Sequence, residues 1–287
     1  MNILVLGGTG MAGHVIALYL TAQGHHVETL SANNRLDDST YLVDATDHAT
    51  LGKFLEGKPY HIIVNCIAIL PKQAESHKST AVDLNAYLPH YLAQYYETTP
   101  TRIIQLSTDG VFSADSGKNV EDTSPNCTDF YGRSKALGEI INDKDLTIRM
   151  SIIGPSLQPN GAGLLDWFFA QSGEITGYSK VLWNGVTTLE LAKGIEAAIQ
   201  QGLTGLYHFA PDVSVSKFEL LQFCKQAFAK NDVTITPTAA PISTRVLANT
   251  RVDISYTIPS YSVMLHDMSQ WITDHPGLYA HYDRGSV

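Results

Sequence analysis

The sequence predicts an α/β fold in which helices cover both faces of a doubly wound parallel sheet. Over residues 1–150, short apolar runs alternate with helical stretches, which is the pattern of such a sheet. A glycine-rich segment, Gly7-Gly-Thr-Gly-Met-Ala-Gly13, links the first apolar run to the first helical stretch. Right-handed crossovers then place the segments that follow the strands at one edge of the sheet, where ligands bind in open α/β folds.

Each element of this half follows from its residue pattern. We predict strands over residues 2–6, 26–31, 62–66, 102–107 and 147–150, which are short and apolar. We predict helices over residues 11–23, 49–56, 79–97 and 131–142. Residues 1–153 are therefore expected to form one domain that carries the parallel sheet.

The pattern changes after Met150. Residues 154–163 are rich in turn-forming residues and are predicted to form a loop that leaves the sheet. We predict helices over residues 164–171, 189–201 and 217–229, a strand over residues 205–209 and turns over residues 237–244. Residues 154–287 are therefore expected to form a smaller lobe that binds substrate and returns one strand to the sheet.

Composition and charge argue against several classes of protein. The 287 residues include 19 Lys and Arg against 28 Asp and Glu, and this net charge of -9 disfavours binding to nucleic acid. The cysteines Cys66, Cys127 and Cys224 are far apart in the sequence and odd in number, which fits neither a disulfide framework nor a zinc knuckle. The sequence lacks a secretion signal and an apolar run of about 20 residues. We therefore expect a cytoplasmic protein that does not bind membranes.

The glycine-rich segment predicts a dinucleotide site. Gly7, Gly10 and Gly13, with Met11 between them, follow a strand and open a helix, which is the context that this fingerprint requires. Glycine permits a tight turn and a close approach of the backbone to a pyrophosphate at the helix N-terminus. The alternative is that these glycines only serve the turn.

The end of the second strand favours NADP(H), with NAD(H) as the alternative. Enzymes that use NAD usually carry an acid at this point to bind the ribose 2′-hydroxyl. Here Ser31 and Arg35 are present, and the first acid is Asp37. A 2′-phosphate would be tolerated there, unless Arg35 simply faces water. Asp44, further along, is expected to bind the adenine amine or else to cap the next helix.

A Tyr and a Lys four residues apart predict proton transfer. Tyr131 and Lys135 lie on one face of the predicted helix. The ammonium group would stabilise the phenolate and lower the phenol pKa from its ordinary value of about 10. Ser107 and Thr108 end the preceding strand, where their hydroxyls would bond the reacting oxygen unless they serve only as turn or cap residues. The histidines lack metal-ligand spacing, so no metal is expected.

In this order, the motifs resemble the extended short-chain dehydrogenase/reductase superfamily and, within it, the dTDP-4-dehydrorhamnose reductase family. The resemblance rests on the glycine segment, Asn65-Cys-Ile-Ala68 with Lys72 and Glu75, Val82-Asp-Leu-Asn85, Ser107-Thr-Asp-Gly-Val-Phe112, Tyr131-Gly-Arg-Ser-Lys135 with Gly138-Glu139, and Gly205-Leu-Tyr-His-Phe209. It implies that residues 1–153 form an NAD(P)-binding Rossmann domain.

The resemblance also implies roles for single residues. Tyr131 would be the proton donor, while Lys135 would tune it and bind the nicotinamide ribose. Thr108 and Ser107 would orient the substrate carbonyl. Asn85 would support the active site, and Ala68 would line the cofactor cleft. NADPH would reduce the C4 carbonyl of a nucleotide-diphosphate 4-keto-6-deoxysugar, in the synthesis of a cell-surface polysaccharide precursor such as dTDP-rhamnose.

Two departures bear on the substrate. Gly110 stands where the family usually has Tyr, and the segment Arg149-Met-Ser-Ile-Ile-Gly-Pro155 is closer to sugar-nucleotide epimerases. Asp109, Trp183 and Asn184 are expected to contact the substrate, with Trp183 as a core residue the alternative.

Two other functions stay open. An epimerase uses the same Tyr and Lys, and a non-catalytic NADP-binding regulatory subunit would resemble the beta subunit of methionine adenosyltransferase. The expected partner is a small-molecule nucleotide sugar. Whether the protein forms a homodimer is left open by the sequence.

Overall fold

Seven parallel strands form the central sheet of the protein, whose computed structural model describes residues 1–159, 161 and 163–282. The strands of the described residues are β1 (Asn2–Leu6), β2 (His26–Ser31), β3 (Thr40–Leu42), β4 (Ile62–Asn65), β5 (Arg102–Leu106), β6 (Lys118–Asn119), β7 (Leu146–Arg149), β8 (Ile152–Ile153), β9 (Gly173–Tyr178), β10 (Leu182–Trp183), β11 (Val186–Thr187), β12 (Gly205–His208), β13 (Val215–Ser216), β14 (Val233–Thr238) and β15 (Val246–Leu247). The strand order across the central sheet is β12-β7-β5-β4-β1-β2-β3.

Helices connect these strands. They are α1 (Gly13–Ala22), α2 (His48–Leu55), α3 (Pro71–Ser76), α4 (Lys78–Ala81), α5 (Leu88–Tyr95), α6 (Phe130–Leu137), α7 (Leu164–Phe169), α8 (Thr188–Gln200), α9 (Lys217–Ala227), α10 (Tyr261–Asp274) and α11 (Pro276–Tyr279). A π-helical turn, Val82–Tyr87, joins α4 to α5, and 3-10 turns cover Asp109–Val111 and Ala280–Tyr282.

The strand order reverses at β1, which creates the crevice where such sheets bind ligands. Ile3 of β1 pairs with Val27 of β2 on one side and with Ile62 of β4 on the other. The chain therefore leaves β1 toward one edge of the sheet and later crosses back to build the other half. The carboxyl ends of β1 and β4 border this switch point.

Each face of the sheet has its own apolar core. Ile3 and Val5 of β1 belong to the core shared with α1, α8, α9 and α10. Leu4 and Leu6 point to the opposite face and belong to the core shared with α2 and α5. Because both faces are covered by helices, β1 is apolar at every one of these four positions. The structure confirms the predicted fold class.

The five predicted strands of the first half are present within one residue of their expected bounds. Two helices differ from their predictions. The helix predicted over residues 79–97 contains the π-helical turn, and the helix predicted over residues 131–142 ends at Leu137. At the C-cap residue, Gly138, a Cβ atom would lie 1.9 Å from the carbonyl oxygen of Asn85, so only glycine fits where α6 ends against the π-helical turn.

The second half returns β12 to the sheet, where it pairs with β7. The turns predicted over residues 237–244 were wrong at their start, because Pro237 and Thr238 belong to β14 and pair with β9. Proline is tolerated at that point since β14 pairs with β9 alone and has a free edge. The predicted loop over residues 154–163 includes residues 160 and 162, and the predicted lobe over residues 154–287 includes residues 283–287, all outside the described residues.

Candidate active site

A cleft of about 570 Å³ lies at the carboxyl edge of the central sheet. Its lining includes residues 10–12 after β1, residues 107–110 after β5 and residues 150–152 after β7. Eight residues predicted for the site from the sequence line it together: Gly10, Met11, Ala68, Ser107, Thr108, Asp109, Tyr131 and Lys135. Segments distant in the sequence therefore meet at the switch point of the sheet.

The glycine segment forms a tight turn beneath α1. Gly7 has a φ of +77°, and its N–H donates to the Leu30 carbonyl at 2.8 Å. A Cβ atom on Gly13 would lie 2.1 Å from the Gly7 carbonyl oxygen, so only glycine allows α1 to start this close to the turn. The first turn of α1 carries neither an acidic residue nor a capping side chain. Its backbone N–H groups therefore suit a pyrophosphate.

The end of β2 has no acid directed at the cleft. Ser31 is buried, and its hydroxyl donates to the Asn34 carbonyl. Arg35 is exposed, and its Nη1 donates to the Thr40 carbonyl. Neither side chain is part of the cleft lining, so their role toward a 2′-phosphate stays a prediction.

Asp44 is exposed and closes a local turn. Its Oδ1 accepts hydrogen bonds from the Thr46 N–H at 2.9 Å and the Thr46 hydroxyl at 2.8 Å. The cap of α2 is Asp47, whose Oδ1 accepts from the Thr50 N–H at 3.0 Å. The predicted capping role of Asp44 was therefore placed three residues too early, and its adenine role stays a prediction.

Asn85 connects the segment after β4 to α6. The side chain is fully buried in the π-helical turn. Its Oδ1 accepts from the Ile69 N–H at 2.8 Å, and its Nδ2 donates to the Ser134 hydroxyl at 3.0 Å. Ser134 directly precedes Lys135 on α6. Asn85 thus holds the helix that carries Tyr131 and Lys135, which is the supporting position expected for it.

Ser107 donates its hydroxyl proton away from the cleft. Its Oγ lies 2.7 Å from Glu139 Oε1. Glu139 is also bound by Arg149 through two contacts, Nε to Oε1 at 2.7 Å and Nη2 to Oε2 at 2.8 Å. A carboxylate held by a guanidinium accepts hydrogen bonds and donates none. Toward the cleft, Ser107 is therefore an acceptor, in contrast to the expectation that it donates to the reacting oxygen.

Thr108 and Tyr131 form the polar pair of the cleft. The Thr108 Oγ1 accepts from the Gly110 N–H at 3.0 Å, which fixes the side chain at the start of the 3-10 turn, and its hydroxyl donates to Asp109 Oδ1 at 3.3 Å. Burial raises the pKa of Tyr131 to about 12, although a hydrogen bond with the Thr108 hydroxyl acts in the opposite direction. At neutral pH the phenol therefore keeps its proton.

Lys135 is buried, and its Nζ donates to the Leu106 carbonyl at 2.6 Å. Burial lowers the pKa of Lys135 to about 8, against the opposing effects of Glu139 and Cys66. The expected lowering of the phenol pKa by this ammonium group is not found. Burial dominates at Tyr131, and the Lys135 ammonium group is directed at a backbone carbonyl.

Arg245 is a cleft residue that the sequence analysis missed. Its Nε lies 3.1 Å from Asp109 Oδ2, and its Nη1 donates to the Phe112 carbonyl at 2.8 Å. The two side chains are 136 positions apart in the sequence, so no local pattern could have indicated the pair. Asp109 thereby holds a guanidinium group at the wall of the cleft.

Trp183 and Asn184 are buried outside the cleft lining. The Trp183 Nε1 donates to the Ser151 hydroxyl at 2.7 Å, and the Asn184 Nδ2 donates to the Leu247 carbonyl. Both polar groups are thus used within the protein. Trp183 matches the alternative of a core residue, and contact of either side chain with the substrate stays a prediction.

The described residues contain no group of three or more His, Cys, Asp or Glu that could hold a metal ion. None of their helices is long and apolar enough to span a membrane.

The fold and the site define an α/β protein of the extended short-chain dehydrogenase/reductase type. The model of the RmlD substrate binding domain family matches residues 1–274, and the chain belongs to this family. The resemblance found in the sequence is thereby confirmed.

Individual relatives carry different functions. The chain is 32% identical to dTDP-4-dehydrorhamnose reductase from Mycolicibacterium smegmatis over 143 residues, which cover 48% of the chain and 40% of that protein. It is 30% identical to methionine adenosyltransferase 2 subunit beta from Danio rerio over 140 residues, 48% of the chain and 42% of that protein. The matched region therefore spans less than half the length of these two relatives.

The solved structure of dTDP-4-dehydrorhamnose reductase from Bacillus anthracis, in complex with NADP, has a similar fold. The TM-score is 0.79 at 21% identity, over 93% of this chain and 98% of that chain. At this identity the similarity establishes the fold of the chain.

The close approach at Gly13 gives the first prediction. Gly13→Ala would place a methyl group 2.1 Å from the Gly7 carbonyl oxygen, so the turn must shift. We expect the free energy of unfolding to fall by about 1–3 kcal/mol, as for other overpacked sites, with a loss of nucleotide binding. Denaturant unfolding and titration with NADPH measure the two effects.

Gly277→Ala is the matched control, because nothing lies within 4 Å of a Cβ atom at Gly277. If the Gly13 variant were as stable as this control and bound NADPH equally well, the steric account of the turn would be wrong.

Proposed function

We propose that the protein is an NADPH-dependent reductase of a nucleotide-diphosphate 4-keto-6-deoxysugar. The observation that carries the proposal is the meeting of the glycine turn, Thr108, Tyr131 and Lys135 at one cleft. The name of the Mycolicibacterium smegmatis relative supports the same substrate class. The complex of the Bacillus anthracis structure with NADP supports the same cofactor.

The cofactor end of the cleft fits a dinucleotide. Residues 10–12 line it, and the absence of a Cβ atom at Gly13 brings the first turn of α1 close to the Gly7 turn. The uncapped N–H groups of α1 would bind the pyrophosphate. The cofactor supplies the hydride when bound. The lack of an acid between Ser31 and Arg35 favours a 2′-phosphate over a free 2′-hydroxyl.

The reacting end of the cleft fits the reduction of a carbonyl group. Tyr131 keeps its proton at neutral pH, because burial raises its pKa to about 12. The phenol would donate this proton to the carbonyl oxygen as negative charge develops there. Thr108, which lines the cleft together with Tyr131, would share that charge. Lys135 would bind the nicotinamide ribose from its buried position beside Leu106.

The cleft wall holds a guanidinium group that is paired with a carboxylate. Asp109 binds Arg245, and both groups affect the pKa of Lys217, which lies outside the cleft lining. We propose that Arg245 faces the diphosphate of the sugar nucleotide. Arg245 and Lys217 both belong to residues 154–287, so this lobe would select the substrate while residues 1–153 bind the cofactor.

We further propose a cytoplasmic location, a small-molecule partner and no role for nucleic acid, which the net charge of -9 disfavours. A homodimer stays a prediction, and light scattering on the purified protein measures it directly.

One experiment separates this function from its alternatives. The protein is incubated with NADPH and a panel of nucleotide 4-keto-sugars, and the loss of NADPH absorbance is followed. We expect turnover with at least one 4-keto-6-deoxysugar. Interconversion of sugar nucleotides without net use of NADPH would instead establish an epimerase. NADPH binding without turnover of any panel member would favour a regulatory subunit, as the match to methionine adenosyltransferase 2 subunit beta allows.

Removal of the Tyr131 hydroxyl tests the proton donor. In Tyr131→Phe the ring remains while the donated proton is gone. We expect NADPH binding within about twofold of the wild type and a loss of turnover of about 100- to 10,000-fold, which is the usual contribution of a general acid. A loss below tenfold would remove Tyr131 from the mechanism.

The two hydroxyls after β5 are expected to differ in importance. The Ser107 hydroxyl donates to Glu139 at 2.7 Å, whereas the Thr108 hydroxyl donates to Asp109 at the longer distance of 3.3 Å and lines the cleft beside Tyr131. We therefore expect Thr108→Val to reduce kcat by at least tenfold more than Ser107→Ala. Stopped-flow single-turnover rates with both variants measure this difference. An equal loss in the two variants would contradict the assignment of Ser107 as an acceptor.

The charge at the end of β2 is expected to set the choice of cofactor. Ser31→Asp would place a carboxylate near the expected 2′-phosphate, and repulsion of about 1–4 kcal/mol would shift the preference toward NADH by about fivefold or more. Ser31→Ala is the control, because it removes the hydroxyl without adding charge. If the wild-type protein prefers NADH by tenfold, the end of β2 does not bind a 2′-phosphate.

A further inference from the structure

The carbonyl oxygen of Gly10, in the glycine turn, is bound by a buried histidine. His14 is fully buried in α1, and its Nδ1 lies 2.7 Å from this oxygen. A carbonyl only accepts, so Nδ1 carries the proton and Nε2 is an acceptor. Burial lowers the pKa of His14 to about 4, which keeps the ring neutral at physiological pH and agrees with this assignment.

The C-terminal segment supplies the hydrogen bond that the acceptor nitrogen of His14, Nε2, receives. The Tyr279 hydroxyl lies 2.7 Å from His14 Nε2, across 265 positions of sequence. The same hydroxyl accepts from the Trp271 Nε1 at 3.2 Å. The hydrogen-bond directions agree throughout: the indole donates to the phenol, the phenol to the imidazole and the imidazole to Gly10. Tyr279 is 1% exposed, so water does not compete for these positions.

A second tyrosine of the same segment binds the loop after β8. The Tyr282 hydroxyl donates to Asp166 and accepts from the Ser156 N–H at 2.9 Å. Asp166 in turn accepts from the Ser156 hydroxyl at 2.7 Å and from the Gly163 N–H at 3.2 Å. Gly163 stands beside the cleft, since a Cβ atom there would lie 3.6 Å from Met11 Cε.

Both connections therefore reach the glycine turn, one at Gly10 and the other beside Met11, and both of these residues line the cleft. The family model ends at residue 274, whereas α11 and the turn Ala280–Tyr282 follow it. Tyr279 and Tyr282 thus lie beyond the part of the chain that the family model matches, while their partners lie within it.

We propose that Tyr279 and Tyr282 are positioning residues that hold the glycine turn and the start of α7, where Asp166 lies, in the geometry that binds the dinucleotide. This inference rests on the proposed function, since it assumes NADPH as the ligand of the turn. Tyr279 fixes the His14 ring, and the ring fixes the Gly10 carbonyl. Tyr282 fixes Asp166, which orients the backbone beside Met11.

Tyr279→Phe and Tyr282→Phe test the inference, because each removes one hydroxyl and keeps the ring. Fluorescence titration gives the Kd for NADPH without any sugar substrate. We expect each variant to bind NADPH about two- to tenfold more weakly, which is the range that the loss of one hydrogen bond produces. The double variant should be weaker than either single variant. Once NADPH is saturating, kcat should be unchanged, because neither residue touches the reacting atoms.

Tyr261→Phe is the matched control. Tyr261 is a buried tyrosine of α10 whose hydroxyl donates to the Val213 carbonyl at 2.8 Å, away from the glycine turn. It should lose a comparable amount of thermal stability with no change in the Kd for NADPH.

The outcomes separate this inference from the proposed function. If the wild type fails to bind NADPH, the proposed function is wrong. If the wild type binds NADPH and both variants bind it equally well while their Tm falls as in the control, the two tyrosines are structural only and the inference is overturned.

Discussion

The buried ion pair between Glu139 and Arg149 is the interaction on which the reacting side of the cleft depends. Both side chains are almost fully buried, and the pair is bidentate. Glu139 follows α6, Arg149 ends β7, and Glu139 accepts from Ser107 at the end of β5. One carboxylate therefore fixes the relative positions of two strands and of the helix that carries Tyr131 and Lys135.

A buried ion pair of this kind contributes more to fixing the positions of its neighbours than to the free energy of unfolding. Replacing a buried ion pair by apolar residues is often neutral, but removing one partner costs about 3–5 kcal/mol. Arg149 extends the network beyond the cleft, because its Nη1 lies 3.2 Å from His208 Nε2 on β12. The backbone N–H of His208 donates to Glu121 Oε1 at 3.1 Å. The strand that the second half returns to the sheet is thereby tied to the active-site side of the first half.

Much of the fold could be predicted because its signals are local. Short apolar runs that alternate with helical stretches predicted the strands. The glycine motif predicted the turn after β1, where a Cβ atom at Gly13 would clash with the backbone. The strands β3, β9 and β14 and the helix α10 were not predicted. The three residues of β3 are too few for a periodic pattern, and α10 follows a segment of irregular structure without a strand to mark its position.

The candidate site was predictable only where its residues occur in short motifs. Gly10, Thr108, Tyr131 and Lys135 carry recognisable spacing and meet at the cleft. The partners that decide how these residues behave come from far along the chain: Glu139 for Ser107, Arg245 for Asp109 and Tyr279 for His14. Spacing identifies a chemical group, but the acceptor of its proton is set by tertiary contacts, as the reassignment of Ser107 illustrates.

Tyr131 and Lys135 illustrate the same limit through a shared physical cause. Burial disfavours the charged form of each group, raising the pKa of the phenol to about 12 and lowering that of the amine to about 8. The neutral phenol is the form needed to protonate an oxygen, and an alkoxide is a stronger base than a phenolate, so that proton transfer is downhill. Abstraction of a proton by Tyr131 would require the phenolate, which burial opposes. Tyr131 therefore carries the proton that the proposed reduction would transfer to the substrate oxygen.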